Sequence, residues 1–140
     1  MNAQSMHRGS CLCGGVRYEL DAALSEIGMC HCAMCRKASG TAFAANAPVP
    51  EEKFRLLSGA GLLQEYQSSP GKLRVFCARC GSPVYGKSAN KPGVLRLRLG
   101  SLDTAAGRRP DFHFMTQFKA DWHEIGDDLP QHTGFEPGRK

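Results

Sequence analysis

The chain has 140 residues, a net charge of +5 and a 41% hydrophobic content, the makeup of one soluble globular domain able to bury about two-thirds of its unfolded surface. No apolar run approaches the ~20 residues of a membrane span, and the basic residues are dispersed, which argues against a membrane partner and against a nucleic-acid footprint. Seven cysteines, an odd number, follow an N-terminus (Met1 to Arg8) without the apolar segment of a signal peptide, so the chain reads as cytoplasmic and its thiols as metal ligands, not a disulfide framework.

Met6 offers a second start, which would make the residues before it a dispensable tail. The first informative stretch is Ser10-Cys11-Leu12-Cys13-Gly14-Gly15, a metal knuckle in which paired glycines let backbone amides approach the sulfurs. Val16 to Leu20 alternates apolar and polar, predicting a half-buried strand, and Ile27 to Cys30 a second, short one. That strand delivers the chain to Cys30-His31-Cys32-Ala33-Met34-Cys35, with three cysteines in six residues. In an extended start Cys30 and Cys32 point one way and His31 the other; a tight turn through Ala33-Met34 then returns Cys35 to the same point.

Arg36 to Gly40 reads as one helical turn or a loop, and Thr41 to Ala47 as a buried strand stopped by Pro48 and Pro50. Pro50 to Phe54 suits a helical turn with acidic residues near its start. From Arg55 to Tyr85, short apolar runs broken by Gly, Ser and Pro predict a β meander. Within it Cys77-Ala78-Arg79-Cys80-Gly81 is a second knuckle of the zinc-ribbon kind. Gly93 to Gly100 is the clearest strand, with Leu95, Leu97 and Leu99 on one face and Arg96 and Arg98 on the other. Aromatic pieces around Phe112 and Trp122 are expected to cap the sheet.

The cysteines divide as four plus three. Four thiolates close a tetrahedral zinc site; three leave a position for water or substrate. Spacing leaves the pairing open: Cys32 and Cys35 could instead join Cys77 and Cys80, leaving Cys11, Cys13 and Cys30.

Three motifs taken together, Cys11-x-Cys13-Gly-Gly, Cys30-His-Cys32-x-x-Cys35-Arg-Lys-x-Ser-Gly and Phe76-Cys77-x-x-Cys80-Gly, resemble the glutathione-dependent formaldehyde-activating family, whose members are also described as like centromere protein V. Gly100-Ser-Leu-Asp103, Arg109-Pro-x-Phe-His113 and Lys119-Ala-x-Trp122 fit it too, so the resemblance covers a core of about residues 9–130 in one domain spanning 1–140. It implies a mainly β, zinc-stabilised fold of several short antiparallel sheets. It also implies a structural zinc on Cys11, Cys13, Cys77 and Cys80, and a second zinc on Cys30, Cys32 and Cys35 at the catalytic thiol site. The implied activity is that of a carbon–sulfur lyase joining glutathione and formaldehyde; the competing reading is a non-catalytic zinc module that binds glutathione, protein or nucleic acid.

Outside the cysteines, His31 should face away from the metal, and His113 reads as an ordinary strand histidine with acid–base service as the alternative. Arg36, Lys37 and Lys119 are candidate partners for the glutathione carboxylates, set against the simpler reading of solvated charges. Phe112 and Trp122 read as core or lid packing.

Overall fold

A computed structural model describes residues 6–139, so the expected N-terminal tail lies outside the described residues. The protein is mainly β, as expected, in two sheets. The smaller has the order β1-β2-β5, from β1 (His7–Ser10), β2 (Arg17–Leu20) and β5 (Phe54–Ser58). The larger has the order β10-β3-β4-β9-β8-β7-β6. Its members are β3 (Gly28–Cys30), β4 (Ala44–Pro50), β6 (Leu63–Ser69), β7 (Lys72–Cys77), β8 (Pro83–Ser88), β9 (Val94–Arg98) and β10 (Phe112–Phe114). A single α-helix among the described residues, α1 (Ala33–Ser39), follows β3. No described helix is long and apolar enough to cross a membrane.

Alternation explains the core. On β2, Tyr18 and Leu20 are buried, and on β9 Leu95 and Leu97 are buried; with Val16, Ala47, Val49 and Val84 they form one cluster spanning both sheets. The meander forms as β6-β7-β8-β9, but β5 leaves it for the smaller sheet, where it pairs with β2. Nothing local in Phe54–Ser58 distinguishes the two partners; burial of Phe54 and Leu56 against the shared cluster does.

The bounds of one strand and the direction of one pairing differ from the sequence reading. β4 runs through Pro48 to Pro50 instead of stopping before them. β3 pairs only with Ala44–Asn46, so from Ala47 onward β4 has no neighbour in β3, and a proline's missing N–H is tolerated at such an edge. The β3–β10 ladder is parallel, the one departure from antiparallel pairing among the strand ladders of the described residues, because Phe112–Phe114 returns after a long excursion along the same direction as Gly28–Cys30. The expected cap by Trp122 does not form: its side chain is 67% exposed.

The two sheets are joined by a buried polar link. The Tyr18 hydroxyl lies 2.6 Å from Ser101 Oγ, which donates to the Arg98 carbonyl at 2.8 Å. Gly9, opposite Tyr18 on β1, leaves room for that ring; a Cβ there would fall 2.1 Å from it. Burial, above all, pushes the Tyr18 phenol up to about 12. Ser101→Ala, which strands the Tyr18 hydroxyl, is expected to lower unfolding free energy by about 1–3 kcal/mol in urea titrations. Since the unfolded phenol ionises near 10 and the native one does not, native stability is expected to fall as pH rises from about 10 towards 12, and Tyr18→Phe should flatten that slope.

Candidate metal centres and the adjoining pocket

The knuckles converge as two groups, and the pairing that spacing left open is settled by position. Cys11 and Cys13, in the turn after β1, meet Cys77 at the end of β7 and Cys80 just beyond it, with all four Sγ atoms within 4.8 Å of one another. Cys30, Cys32 and Cys35 form the second group on the same criterion. None of the seven is in a disulfide.

The first group fits a tetrahedral ion. Zn–S bonds of about 2.3 Å imply sulfur–sulfur edges of about 3.8 Å; Cys11 and Cys13 lie 3.5 Å apart and Cys13 and Cys77 3.8 Å. The surroundings favour thiolates. The Val16 amide donates to Cys11 Sγ at 3.2 Å, and Arg79 Nε donates to Cys13 Sγ at 3.2 Å. A backbone bond involving Gly15 and then Arg79 hold the Cys13 thiol below its ordinary range, while Ser82 brings Cys80 down to about 5. Burial raises Cys77, the innermost of the four. Thiolate sulfurs at this spacing, with N–H donors around them, suit zinc.

The second group is built at the junction of β3 and α1. Cys30 ends β3 opposite Ala44 and beside Phe114. Cys32 is the N-cap of α1, its sulfur accepting from the Cys35 amide at 3.3 Å, and Cys35 is the buried residue of the helix's first turn. The expected turn through Ala33-Met34 is therefore the opening of a helix that runs on to Ser39, closed by Gly40 in a left-handed conformation at φ 73°. Hydrogen bonds within the trio, led by Cys30, hold Cys32 at about 2, whereas its bond to Cys32 pushes the Cys30 thiol far up. A divalent ion would stabilise all three as thiolates.

All three cysteines of this group line a cavity of about 170 Å³. Its other walls carry Lys72, Arg74, Lys87, Arg96, Arg98 and Arg139, and no aspartate or glutamate. Sequence reading had placed Arg96 and Arg98 on the polar face of their strand without assigning that face a role. Arg36, Lys37 and Lys119 do not line this cavity: Lys119 Nζ is engaged with the carbonyls of Ala120, at 3.1 Å, and His123. The sequence signal for this wall is the Arg-x-Arg alternation of β9, which borders the cavity only once the strand order of the large sheet brings it to the same face as the cysteines.

His31 points away from the sulfurs, as expected, and is fully buried. Its Nε2 lies 2.8 Å from His113 Nδ1, and His113 Nε2 lies 3.0 Å from the Asp127 carboxylate. With the carboxylate accepting from His113 Nε2–H, the ring's Nδ1 accepts from His31 Nε2–H. His31 Nδ1 is then left buried with no hydrogen-bond partner among the described residues. Burial first, then the neighbouring Lys119 and Arg36 among other groups, lower the His31 imidazole to about 4. The bond from His113 holds the Asp127 carboxylate below its ordinary range. His113 is a strand histidine of β10, as expected, outside the cysteine pocket, and it is a buried brace for the backbone between Cys30 and Cys32.

A family model described as "Glutathione-dependent formaldehyde-activating enzyme" matches residues 6–118. The chain belongs to that family. In structure it is similar to a Rhodobacter sphaeroides protein whose crystal structure was determined as a structural-genomics target, with a TM-score of 0.60, 24% identity, and coverage of 74% of this chain and 97% of that one. That likeness concerns the fold. The family match spans both cysteine groups of this member, all seven thiols included.

His113→Ala is expected to lower unfolding free energy by about 1–3 kcal/mol by stranding His31 Nε2. It should also release metal from the Cys30 group at a lower chelator concentration than wild type, read by competition with a chromogenic chelator.

Proposed function

We propose that this member of the family is a zinc-dependent carbon–sulfur lyase acting on thiol–aldehyde adducts, with glutathione as the thiol and formaldehyde as the aldehyde. One observation carries the reading: three convergent cysteines, one short of a closed tetrahedral set, open onto a cationic cavity, while the other four complete a set by themselves. In this reading Cys11, Cys13, Cys77 and Cys80 hold a structural zinc, and Cys30, Cys32 and Cys35 hold the second and form the catalytic trio.

A zinc bound by the trio would take the substrate sulfur as its thiolate, the nucleophilic form. The chain's own residues act around it. Arg74, whose Nη2 lies 3.9 Å from Cys35 Sγ, and the arginines of β9 favour anionic sulfur over thiol on the cavity side. Cys30 and Cys35, both buried, pack with Phe114 in one cluster, which would set the reacting sulfur beside apolar surface. Addition forms one carbon–sulfur bond to formaldehyde, the carbonyl electron pair moves to oxygen, and the thiol's proton ends there, giving S-(hydroxymethyl)glutathione. The reverse breaks that bond and frees the aldehyde.

The test begins with metal analysis and calorimetry on reduced protein. Two zincs per chain and saturable glutathione binding are expected, with Cys30→Ser losing one zinc and the binding but keeping the fold. Cys77→Ser should unfold the domain, because the four-cysteine site contributes folding free energy directly. Exchange NMR on glutathione–formaldehyde mixtures should show interconversion faster with wild type than with Cys30→Ser. Equal rates with both proteins would reduce the site to a thiol-binding one.

A further inference from the structure

The cavity beside Cys30, Cys32 and Cys35 has a charge pattern that a thiol-binding metal site does not by itself require. Arg96 and Arg98 occupy alternate positions of β9 and so share a face. Across the sheet Arg96 sits opposite Gly86 of β8, and Gly86 opposite Arg74 of β7. The glycine between the two arginines has no side chain to fill the gap; a Cβ there would stand 3.0 Å from Arg98 Nη2. Three guanidinium groups therefore border one cavity over a floor left open by Gly86.

Their charge is poorly offset within the protein. Arg139 is paired with Glu136 and Lys87 with Glu51. Arg98 donates to the neutral Asn46 Oδ1, and Arg74 reaches only Cys35 Sγ, at 3.9 Å. Among the described residues the Arg96 guanidinium has no hydrogen-bond or ion-pair partner. A divalent ion on three thiolates carries a net charge of about −1, which three arginines and Lys72 exceed. Desolvation, the largest effect, lowers both Arg96 and Arg98 from the ordinary arginine range; Arg139 acts the same way on Arg96, against Glu136, and Arg74 on Arg98, against Cys35. Like charges gathered at a partly buried site cost stability unless an anion joins them. A carboxylate suits a guanidinium through paired N–H donors.

We propose that Arg74, Arg96 and Arg98 form a dianion subsite that selects thiols bearing two carboxylates and makes no provision for an ammonium group. The cavity wall supports both halves: it carries no aspartate or glutamate to meet an amine, and its carboxamide acceptor, Asn46 Oδ1, is occupied by Arg98, which leaves the hydroxyls of Ser68 and Ser88 as its neutral side-chain acceptors. The inference rests on the thiol-site reading above and names the class of substrate that site prefers: mercapto-dicarboxylic acids over neutral or amino-bearing thiols. Glutathione would satisfy the subsite through its carboxylates alone, with its α-ammonium directed to solvent.

Calorimetry on the zinc-loaded protein with three probes tests this: mercaptosuccinate, 2-mercaptoethanol and succinate. Mercaptosuccinate is expected to bind at least tenfold more tightly than 2-mercaptoethanol, about 1.4 kcal/mol, with an affinity that falls as salt rises. Arg96→Gln should remove most of that difference, zinc content and far-UV spectrum reporting that the variant is folded; Arg74→Gln serves if it is not. Equal affinity for the two thiols, or a difference that survives in the folded variants, overturns the dianion subsite while the thiol site stands. Succinate binding that competes with mercaptosuccinate, with no binding of 2-mercaptoethanol, supports the subsite and removes the thiol reading. Binding of none of the three overturns both.

Discussion

The structure depends on four sulfurs that come from opposite ends of the chain's two sheets. Cys11 and Cys13 follow the edge strand of the small sheet, Cys77 ends β7, the strand next to the edge of the large one, and Cys80 lies just beyond it. The two pairs are far apart in sequence, with 64 positions from Cys13 to Cys77, so bringing them within 4.8 Å fixes how the sheets meet. An ion bound there would add its affinity to folding, since the unfolded chain offers no preformed set. The Tyr18–Ser101 link and the apolar cluster spanning both sheets sit on the same junction and reinforce one arrangement.

Once the sheets are fixed, β9 works on two faces. Its leucines close the core, and its arginines face the cavity at the second cysteine group. The same alternation that gives a half-buried strand thus supplies an electrostatic wall, at no cost in extra elements. Gly86 keeps the wall from filling itself, because any side chain there would meet Arg98. The site's chemistry, soft sulfur ligands beside hard cationic donors, fits a ligand that is a thiol at one end and an anion at the other.

The back of the site is held differently. Cys30 and Cys32 point to the cavity, so His31 between them must enter the interior. A buried imidazole needs partners, and His113 and Asp127 supply them from 82 and 96 positions away. The parallel β3–β10 ladder makes this possible by setting His113 beside Met29 in register and the Phe114 carbonyl within 3.1 Å of the His31 amide. The directed chain of hydrogen bonds, with His31 held neutral by burial, braces the ligand loop from the interior.

The motifs alone, through the family they resemble, carried the family, the mainly β class and the division of seven cysteines into four and three, because metal coordination demands specific residue types at short spacings that packing does not. The outward arginines of β9 were legible as a face as well, since the strand period is local. What that face borders was not. The partner of β5, the run of β4 through Pro48, the parallel return of β10 and the His31–His113–Asp127 chain all depend on contacts between segments far apart in sequence, where propensity is silent. The same limit explains why Arg36, Lys37 and Lys119 stood as candidates for carboxylate recognition and Arg74 did not. Proximity to the cysteines along the chain is a local property, whereas a pocket wall is assembled by strand order, which the packing of the whole molecule decides.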